Sequence, residues 1–264
     1  MDRRRRIAPN RGERMAPRGD LDDVIYGIHA VHEALVAGEP LRRIHIGDER
    51  KTDPVLRNVI EGARASNVQV RFEGRGFFAN FPYKAHQSVV AFGTPFDYIS
   101  LEEAIASNRG PQALFVVLDH VTDPHNVGAI VRTTEAAGGT ALILPERRSA
   151  GVNATVRKAA AGAAAHLPIA RVGNIAQSVR TLKKAGVWVV GAALGPGSVP
   201  YTTADFNRPL VLVIGAEDGL SQLVQRECDY LASIPMIGKT ESLNASVAAA
   251  VLLYEAVRQR AAVG

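Results

Sequence analysis

The sequence predicts an α/β protein in which a domain with a parallel β-sheet follows a smaller α/β domain. Two observations support this fold class. Apolar runs such as residues 114–118 and 211–214 are continuous rather than alternating, which is typical of strands buried on both faces of a parallel sheet. Segments with helical periodicity separate these runs, as crossovers between parallel strands require. With 47% apolar and 22% charged residues, the 264-residue chain can form a packed core.

The chain before residue 113 is predicted to contain an arm, a small domain and a linker. Residues 1–20 hold seven arginines and no periodic apolar pattern, which indicates a disordered basic arm. Residues 21–93 form the small domain, and several chain breakers around one short helical piece predict a linker at 94–112. The elements predicted for the small domain are helices at 27–37 and 54–65 and strands at 44–47, 68–72 and 88–92.

Residues 113–264 are predicted to form the larger domain. Its strands are expected at 114–118, 141–144, 169–172, 187–192, 211–214 and 231–235. Its helices are expected at 126–137, 154–165, 175–185, 220–228 and 244–262, the last one long and amphipathic. Strands that alternate with helices favour a parallel sheet covered on both faces.

Charge and cysteine content exclude several classes of protein. The formal net charge is +5, and the first twenty residues contribute +4 of it, so the remainder is nearly neutral. A single cysteine, Cys228, excludes an internal disulfide and any multi-cysteine metal site, which suits a reducing compartment. No apolar run follows the arginine-rich start or reaches the length of a membrane span. We therefore expect a cytoplasmic protein with no metal ion and no membrane partner.

Common catalytic and nucleotide-binding motifs are missing from the sequence. It contains no Gly-rich loop that ends in Lys-Ser or Lys-Thr, and no dinucleotide-binding glycine fingerprint follows a predicted strand. It also lacks a Gly-x-Ser-x-Gly elbow and a zinc-protease helix motif. These absences disfavour a P-loop nucleotide hydrolase, a Rossmann-type dehydrogenase and the common hydrolases.

Three polar loops follow predicted strands, at the edge of an α/β sheet where ligands bind. The first contains Asp119, His120, Asp123, Pro124 and Asn126 and continues into a helix with Gly128 and Arg132; the second spans residues 215–221, and the third 235–246. We expect Gly128, Gly215 and Gly238 to let a ligand approach the backbone. Their recurrence on one edge favours a binding site.

Each polar residue also has a structural alternative. Asp123 can be the N-cap of a helix, and Asn244 can cap the last one. Glu217 and Asp218 can be acids that complement the dipole of the following helix. Taken singly, such residues are more often structural than catalytic.

Together, the three loops resemble the motifs of the SpoU/TrmH family of RNA ribose 2′-O-methyltransferases. The matching residues are Asn126-x-Gly128 with Arg132, Gly215-x-Glu217, Ile234-Pro235-Met236-x-Gly238, and Ser242-Leu243-Asn244-x-Ser246. This resemblance covers residues 113–262. Residues 21–93, with Tyr26-Gly27-Ile28-His29-Ala30-Val31 near their start, are similar to the small RNA-binding substrate domain of members that act on large-subunit rRNA.

The resemblance implies S-adenosylmethionine as methyl donor, a trefoil knot in the methyltransferase domain, and a homodimer. It also implies a ribose of RNA as substrate, with a guanosine of large-subunit rRNA as the expected target and rRNA processing as the role. Gly215, Ile234 and Leu243 would hold the cofactor through backbone contacts, with Met236 and Gly238 shaping its pocket. Arg132, Asn126, Glu217, Ser242 and Asn244 would surround the transferred methyl group and the ribose.

The sequence departs from the family in its second motif. Members commonly have Gly-x-Glu-Gly-x-Gly-Leu, whereas here Asp218 follows Glu217 and only Gly219 precedes Leu220. The loop is thus one residue shorter. Three alternatives stay open: the same chemistry on tRNA, a non-catalytic RNA-binding or ribosome-assembly protein of the same fold, and an α/β enzyme with another cofactor.

RNA contacts are expected from the basic arm, the small domain and basic residues near the site. The candidates near the site are Arg132, Arg157, Lys158 and Lys239, although Arg157 and Lys158 can equally form a solvated helix face. Removal of residues 1–20 is expected to weaken RNA binding and its salt dependence without affecting cofactor binding.

Overall fold

The computed structural model describes residues 24–36, 38–79, 81, 86–107 and 110–262. Two compact units divide the chain between Pro95 and Phe96. The predicted basic arm, residues 1–20, lies outside the described residues. Among the helices of the described ranges, none combines the length and apolarity needed to cross a bilayer.

The first unit contains a mixed four-stranded sheet. Its strands are β1 (Val24–Tyr26), β2 (Leu41–Gly47), β3 (Gln69–Glu73) and β4 (Val89–Gly93). Their order is β1-β4-β2-β3, with β4 antiparallel to both neighbours and β2 parallel to β3. The helices are α1 (Ile28–Val36), α2 (Arg57–Ala65) and α3 (Arg75–Phe78). The small α/β domain is thus observed, with β1 as a strand that the apolar pattern did not predict.

The second unit contains a seven-stranded sheet in which every neighbouring pair of strands is parallel. Its strands are β5 (Leu114–Asp119), β6 (Ala141–Pro145), β7 (Ile169–Val172), β8 (Trp188–Ala192), β9 (Ser198–Pro200), β10 (Leu210–Gly215) and β11 (Tyr230–Ser233). The strand order is β7-β6-β5-β10-β8-β11-β9. The predicted parallel sheet is confirmed, and β9 is an additional short strand at its edge.

Helices cover both faces of this sheet. They are α4 (Leu101–Ala106), α5 (Pro124–Ala136), α6 (Ala154–Ala160), α7 (Ile175–Lys184), α8 (Gln222–Glu227) and α9 (Ala245–Ala261). Successive residues of β5 face opposite sides: Val116 is buried in a cluster with residues of α5, α6 and α9, and Val117 in a cluster with residues of α4, α7 and α8. Burial on both faces explains why the central strands are continuous apolar runs.

Residues 96–112, which cover most of the predicted linker at 94–112, belong to the second unit. Ile99 forms a parallel β-bridge with Ala170, and Leu101 and Ile105 pack against the buried cluster on the α7 side of the sheet. The unit therefore begins at Phe96 rather than at residue 113. Burial of these apolar side chains is the physical reason for the difference.

The predicted helix at 154–165 is interrupted. Ala161 and Gly162 adopt left-handed backbone angles, with φ of +48° and +90°, which end α6 at Ala160. A single 3-10 turn, Ala163–Ala165, follows.

The trefoil knot implied by the family resemblance stays a prediction.

Candidate active site

The first and second polar loops meet at the carboxyl edge of the parallel sheet. They follow β5 and β10, which are adjacent strands, and Asp119 pairs in register with Gly215. The third loop follows β11, which is separated from β10 by β8. This edge is where open α/β sheets bind ligands.

A cavity of about 320 Å³ opens at this edge. The loops after β8, β10 and β11 line it together with the first turn of α9. The lining residues are Ala192–Leu194, Ile214–Leu220, Gln225, Ala232, Ile234, Met236, Ser242, Leu243, Ala245 and Ala248. The volume lies within the range of small-molecule sites, and most of the lining side chains are small or apolar.

Most of the predicted cofactor residues lie around this cavity. Gly215, Ile234, Met236 and Leu243 line it, whereas Gly238 is not among its lining residues. A Cβ atom placed on Gly238 would meet no atom within 4 Å. The structure therefore brings four of the five predicted residues together.

The second-motif loop closes as a tight turn. The backbone N–H of Gly219 donates to the Ala216 carbonyl at 2.9 Å, and Gly219 has a φ of +83°. A Cβ on Gly215 would lie 2.4 Å from the carbonyl carbon of Gly219, so only glycine fits where the loop folds back on itself. Gly215 is thus required by the loop's own backbone. Exposed Glu217 and Asp218 occupy the tip of this shortened loop.

Asp119 joins the first loop to the second. Its side chain is fully buried, and its Oδ2 accepts a hydrogen bond from the Ser221 backbone N–H at 2.7 Å. Its Oδ1 lies 2.6 Å from Nδ1 of His120. Sequence reasoning placed Asp119 in the first loop and gave it no role. The available signal was a carboxylate at the end of a buried apolar strand, a position that requires hydrogen-bond partners.

Asn126 and Asn244 connect the first motif to the third. Nδ2 of Asn244 donates to Oδ1 of Asn126 at 3.0 Å. Oδ1 of Asn244 accepts from the Ser246 backbone N–H at 2.9 Å, so Asn244 also caps α9. Asp123 likewise caps α5 by accepting from the backbone N–H of His125. For Asn244 the capping interpretation is confirmed, and its second hydrogen bond brings it together with Asn126, another predicted catalytic residue.

The other predicted catalytic residues are distributed around the edge. Glu217 and Ser242 line the cavity, while Arg132 is an exposed residue of α5 and is not among the lining residues. Gly128, one turn before Arg132, faces α6 and not a space that a ligand could enter, contrary to expectation. A Cβ there would lie 2.5 Å from Cβ of Ala159 and 2.6 Å from the Val156 carbonyl oxygen. Glycine is needed because α5 and α6 pack closely at this point.

The end of β8 and the loop after it contribute cavity residues that the sequence analysis missed. Ala192, Ala193 and Leu194 line the cavity, although no polar side chain marks this loop. The sequence signal was the glycine-rich stretch 191–197 directly after an apolar strand. Small residues at a strand end leave room for a ligand.

The lining is chemically suited to an adenosine group that carries a positive charge. Ile234, Met236 and Leu243 provide apolar surface for a planar ring. Glu217 and Asp218 add two carboxylates at the exposed rim, which favour a cation by Coulomb attraction. S-adenosylmethionine, with its apolar base and sulfonium centre, fits this combination of residues.

Comparison with known proteins identifies the family. Residues 113–254 match the SpoU rRNA Methylase family. The chain belongs to this family. Residues 24–99 match a second description, RNA 2′-O ribose methyltransferase substrate binding. The SpoU match lies within the parallel-sheet unit and contains all three motif loops.

Relatives and solved structures agree with membership of the SpoU family. An uncharacterized tRNA/rRNA methyltransferase of Synechocystis is 43% identical over 90% of this chain, which spans 63% of that relative's length. A Staphylococcus saprophyticus protein, whose name places it in the TrmH family of tRNA/rRNA methyltransferases, is 38% identical over 91% of this chain and 97% of its own. The crystal structure of the SpoU methyltransferase AviRb from Streptomyces viridochromogenes, in complex with AdoMet, superposes with a TM-score of 0.59. It is 29% identical and covers 90% of each chain.

Proposed function

We propose that this chain transfers the methyl group of S-adenosylmethionine to a ribose 2′-oxygen of RNA, with a guanosine of large-subunit rRNA as the expected target. The observation that carries the proposal is the cavity at the carboxyl edge, with the second and third motifs in its walls. The Asn126–Asn244 hydrogen bond joins the first motif to the third beside it.

The proposed cofactor site uses the residues that form the cavity. When bound, S-adenosylmethionine supplies an electrophilic methyl group on a positively charged sulfur. Ile234 and Leu243 offer backbone and apolar contacts, and Met236 closes the apolar wall. Glu217 places a carboxylate at the rim, where it favours a positively charged ligand. Gly215 keeps the loop in the folded-back form that creates the space.

The proposed catalytic residues act by positioning the ribose. Arg132 can bind a phosphate of the RNA next to the target ribose through two parallel N–H donors, because the guanidinium matches the geometry of phosphate oxygens. Ser242 and the Asn126–Asn244 pair can hold the hydroxyl for in-line attack. A free guanidinium keeps its proton at neutral pH, so we assign positioning rather than proton abstraction to Arg132.

Ribosomal RNA is the proposed substrate, and tRNA is the second candidate. The match to a substrate-binding unit at residues 24–99, ahead of an rRNA methylase unit, favours rRNA. The names of the Synechocystis and Staphylococcus relatives include both tRNA and rRNA, which keeps tRNA as the alternative. If the protein were a non-catalytic RNA-binding protein, the side chains of the three motifs would no longer support methyl transfer.

We further propose that the active form is a homodimer that pairs through α9. Val247 and Tyr254 are both exposed and lie two helical turns apart, on one face of α9. A second copy would cover this apolar face and lie close to the third motif, which leads into α9. Sedimentation of the wild type and of Tyr254→Arg tests the pairing, and a wild type that sediments as a monomer would refute it.

Transfer of tritium from labelled S-adenosylmethionine to unmodified rRNA and tRNA transcripts tests the proposed function. Label on a ribose 2′-oxygen of rRNA, lost in Arg132→Ala and kept in Arg226→Ala, is the expected result. Arg226 is the control because it is an exposed arginine in the last turn of α8 that lies outside the three motifs and is not among the residues that line the cavity. Label on tRNA alone would select the second candidate. No label on either RNA, with the cofactor still bound, would indicate a binding protein.

A further inference from the structure

The loop between β6 and α6 presents two adjacent arginines at the edge that carries the cavity. Arg147 and Arg148 are both exposed, and they follow β6 at its carboxyl end. We call residues 146–150 the arginine loop. Neither arginine belongs to the three motifs, and the proposed catalytic mechanism assigns neither a role.

Hydrogen bonds fix the arginine loop to the first motif loop. Oγ of Ser149 donates to the Val121 carbonyl at 3.1 Å, and the Ala150 backbone N–H lies 3.4 Å from the same oxygen. Val121 lies between β5 and α5, five residues before Asn126. The arginine loop is therefore held beside the segment that positions the first motif.

The backbone of Arg148 is strained. Its φ of +56° lies in the left-handed region, which an arginine side chain disfavours. Strain of this kind persists where surrounding contacts enforce it, and it occurs often at functional sites. Here the two contacts with Val121 enforce a loop that leaves both arginines in solvent.

The sequence around the loop is strongly basic. Between residues 146 and 158 the only acidic side chain is Glu146, against Arg147, Arg148, Arg157 and Lys158. Most of the chain after residue 20 is close to neutral, so this segment is a local positive patch. A local positive patch favours a polyanion by charge complementarity.

We propose that Arg147 and Arg148 bind phosphates of the RNA strand that delivers the target nucleotide to the cavity. The inference rests on the proposed function, because it extends the same substrate along the sheet edge. Two guanidinium groups on a fixed loop can each bind a phosphate with two N–H donors, independently of base sequence. The loop would supply affinity and register, while the motif residues act on the ribose.

A pair of double variants with equal loss of charge tests the surface. Arg147→Ala/Arg148→Ala removes the proposed contacts. Lys184→Ala/Arg226→Ala removes two exposed basic residues from the ends of α7 and α8, which lie outside the three motifs and outside the arginine loop. The measurements are the Kd for a large-subunit rRNA transcript across a salt series and the Kd for S-adenosylmethionine.

For Arg147→Ala/Arg148→Ala we expect RNA affinity to fall about tenfold or more, because hydrogen bonds between charged groups are lost. The slope of log K against log salt should become shallower by about 1.4, since each single-strand phosphate contact contributes about 0.7. Cofactor affinity should stay within about twofold of wild type, which also shows that the variant is folded. The Lys184→Ala/Arg226→Ala control should retain wild-type RNA affinity and slope.

Equal losses in the two double variants, or no loss in either, would overturn the proposal. A wild type that binds no RNA would overturn it as well. The proposed methyltransferase function is tested by a separate measurement, methyl transfer by the wild type, so its failure can be distinguished from a failure of the RNA-binding proposal. If RNA binding depends on the arginine loop but the wild type transfers no methyl group, the RNA-binding role of the loop is supported and the proposed methyltransferase activity is refuted.

Discussion

Replacement of Asp119 tests whether the carboxylate holds the cofactor loop in place. Asp119→Ala removes the acceptor of the Ser221 backbone N–H and the partner of His120. Ser221 ends the loop of residues 215–221, most of which lines the cavity. Without its anchor, this loop should sample open conformations in the cofactor-free protein, and binding would then have to reorder it.

The size of the effect follows from the hydrogen bond that is lost. A hydrogen bond to a charged group contributes about 1.5–3 kcal/mol. If cofactor binding must restore the loop at that cost, the Kd for S-adenosylmethionine should rise by about 10- to 150-fold, at about 1.4 kcal/mol per tenfold. Asp119→Asn keeps an oxygen that can accept from Ser221, and a neutral hydrogen bond contributes about 0.5–1.5 kcal/mol. Its Kd should therefore lie between those of wild type and Asp119→Ala.

Isothermal titration calorimetry measures these constants, and Asp229→Ala is the matched control. Oδ2 of Asp229 accepts from the Val189 backbone N–H at 2.8 Å, and Oδ1 lies 2.9 Å from Nζ of Lys183. Asp229 thus makes the same kinds of bond at the opposite edge of the sheet. Its loss should lower stability without changing cofactor affinity. A folded Asp119→Ala that binds the cofactor as tightly as wild type would refute the reasoning.

Three further substitutions and modifications have expected outcomes. Gly128→Val should lower the free energy of unfolding by about 1–3 kcal/mol, because the valine side chain would overlap Ala159 across the α5–α6 contact. Urea denaturation measures this change, and an unchanged midpoint would contradict the prediction. Asn244→Asp should keep the α9 cap and the free energy of unfolding but lose methyl transfer, because an aspartate cannot donate to Asn126. Asn244→Ala should lose methyl transfer and also about 1 kcal/mol of the free energy of unfolding, because it removes the cap as well. Burial raises the pKa of Cys228 to about 12, so iodoacetamide at pH 8 should label it only after unfolding, as mass spectrometry would show; rapid labelling of the native protein would contradict this.

The apolar pattern predicted the parallel sheet because its strands are buried on both faces. Runs such as those of β5 and β10 have no polar interruption, and every residue of both strands is buried. The three-residue strands β1 and β9 escaped prediction, since so short a segment has no recognisable period. The early end of α6 was not predicted for a different reason. Alanine favours helices, so the left-handed backbone of Ala161 depends on its tertiary contacts and not on a local pattern.

For the candidate site, the sequence predicted which loops lie together, and it missed contacts of individual residues. The three polar loops lie at one edge of the sheet, as predicted, because parallel strands bring their carboxyl ends together. The role of Gly128 was wrong, since the contact that requires glycine is with α6 and not with a ligand. Asp119 was passed over because its importance lies in a hydrogen bond to Ser221, about one hundred residues later in the chain. Such contacts depend on topology and leave no local pattern.

Asn244 shows why capping and site interpretations of a motif residue need not compete. Its side-chain oxygen caps α9, and aspartate or serine could perform that task as well. Its side-chain nitrogen donates to Asn126, which aspartate cannot do. Only a side chain that carries both an acceptor and an amide donor satisfies the two contacts in this geometry. The cap fixes the amide of Asn244, and the fixed amide holds the side chain of Asn126 through their hydrogen bond, so the stability of α9 and the geometry of the proposed ribose site depend on one residue.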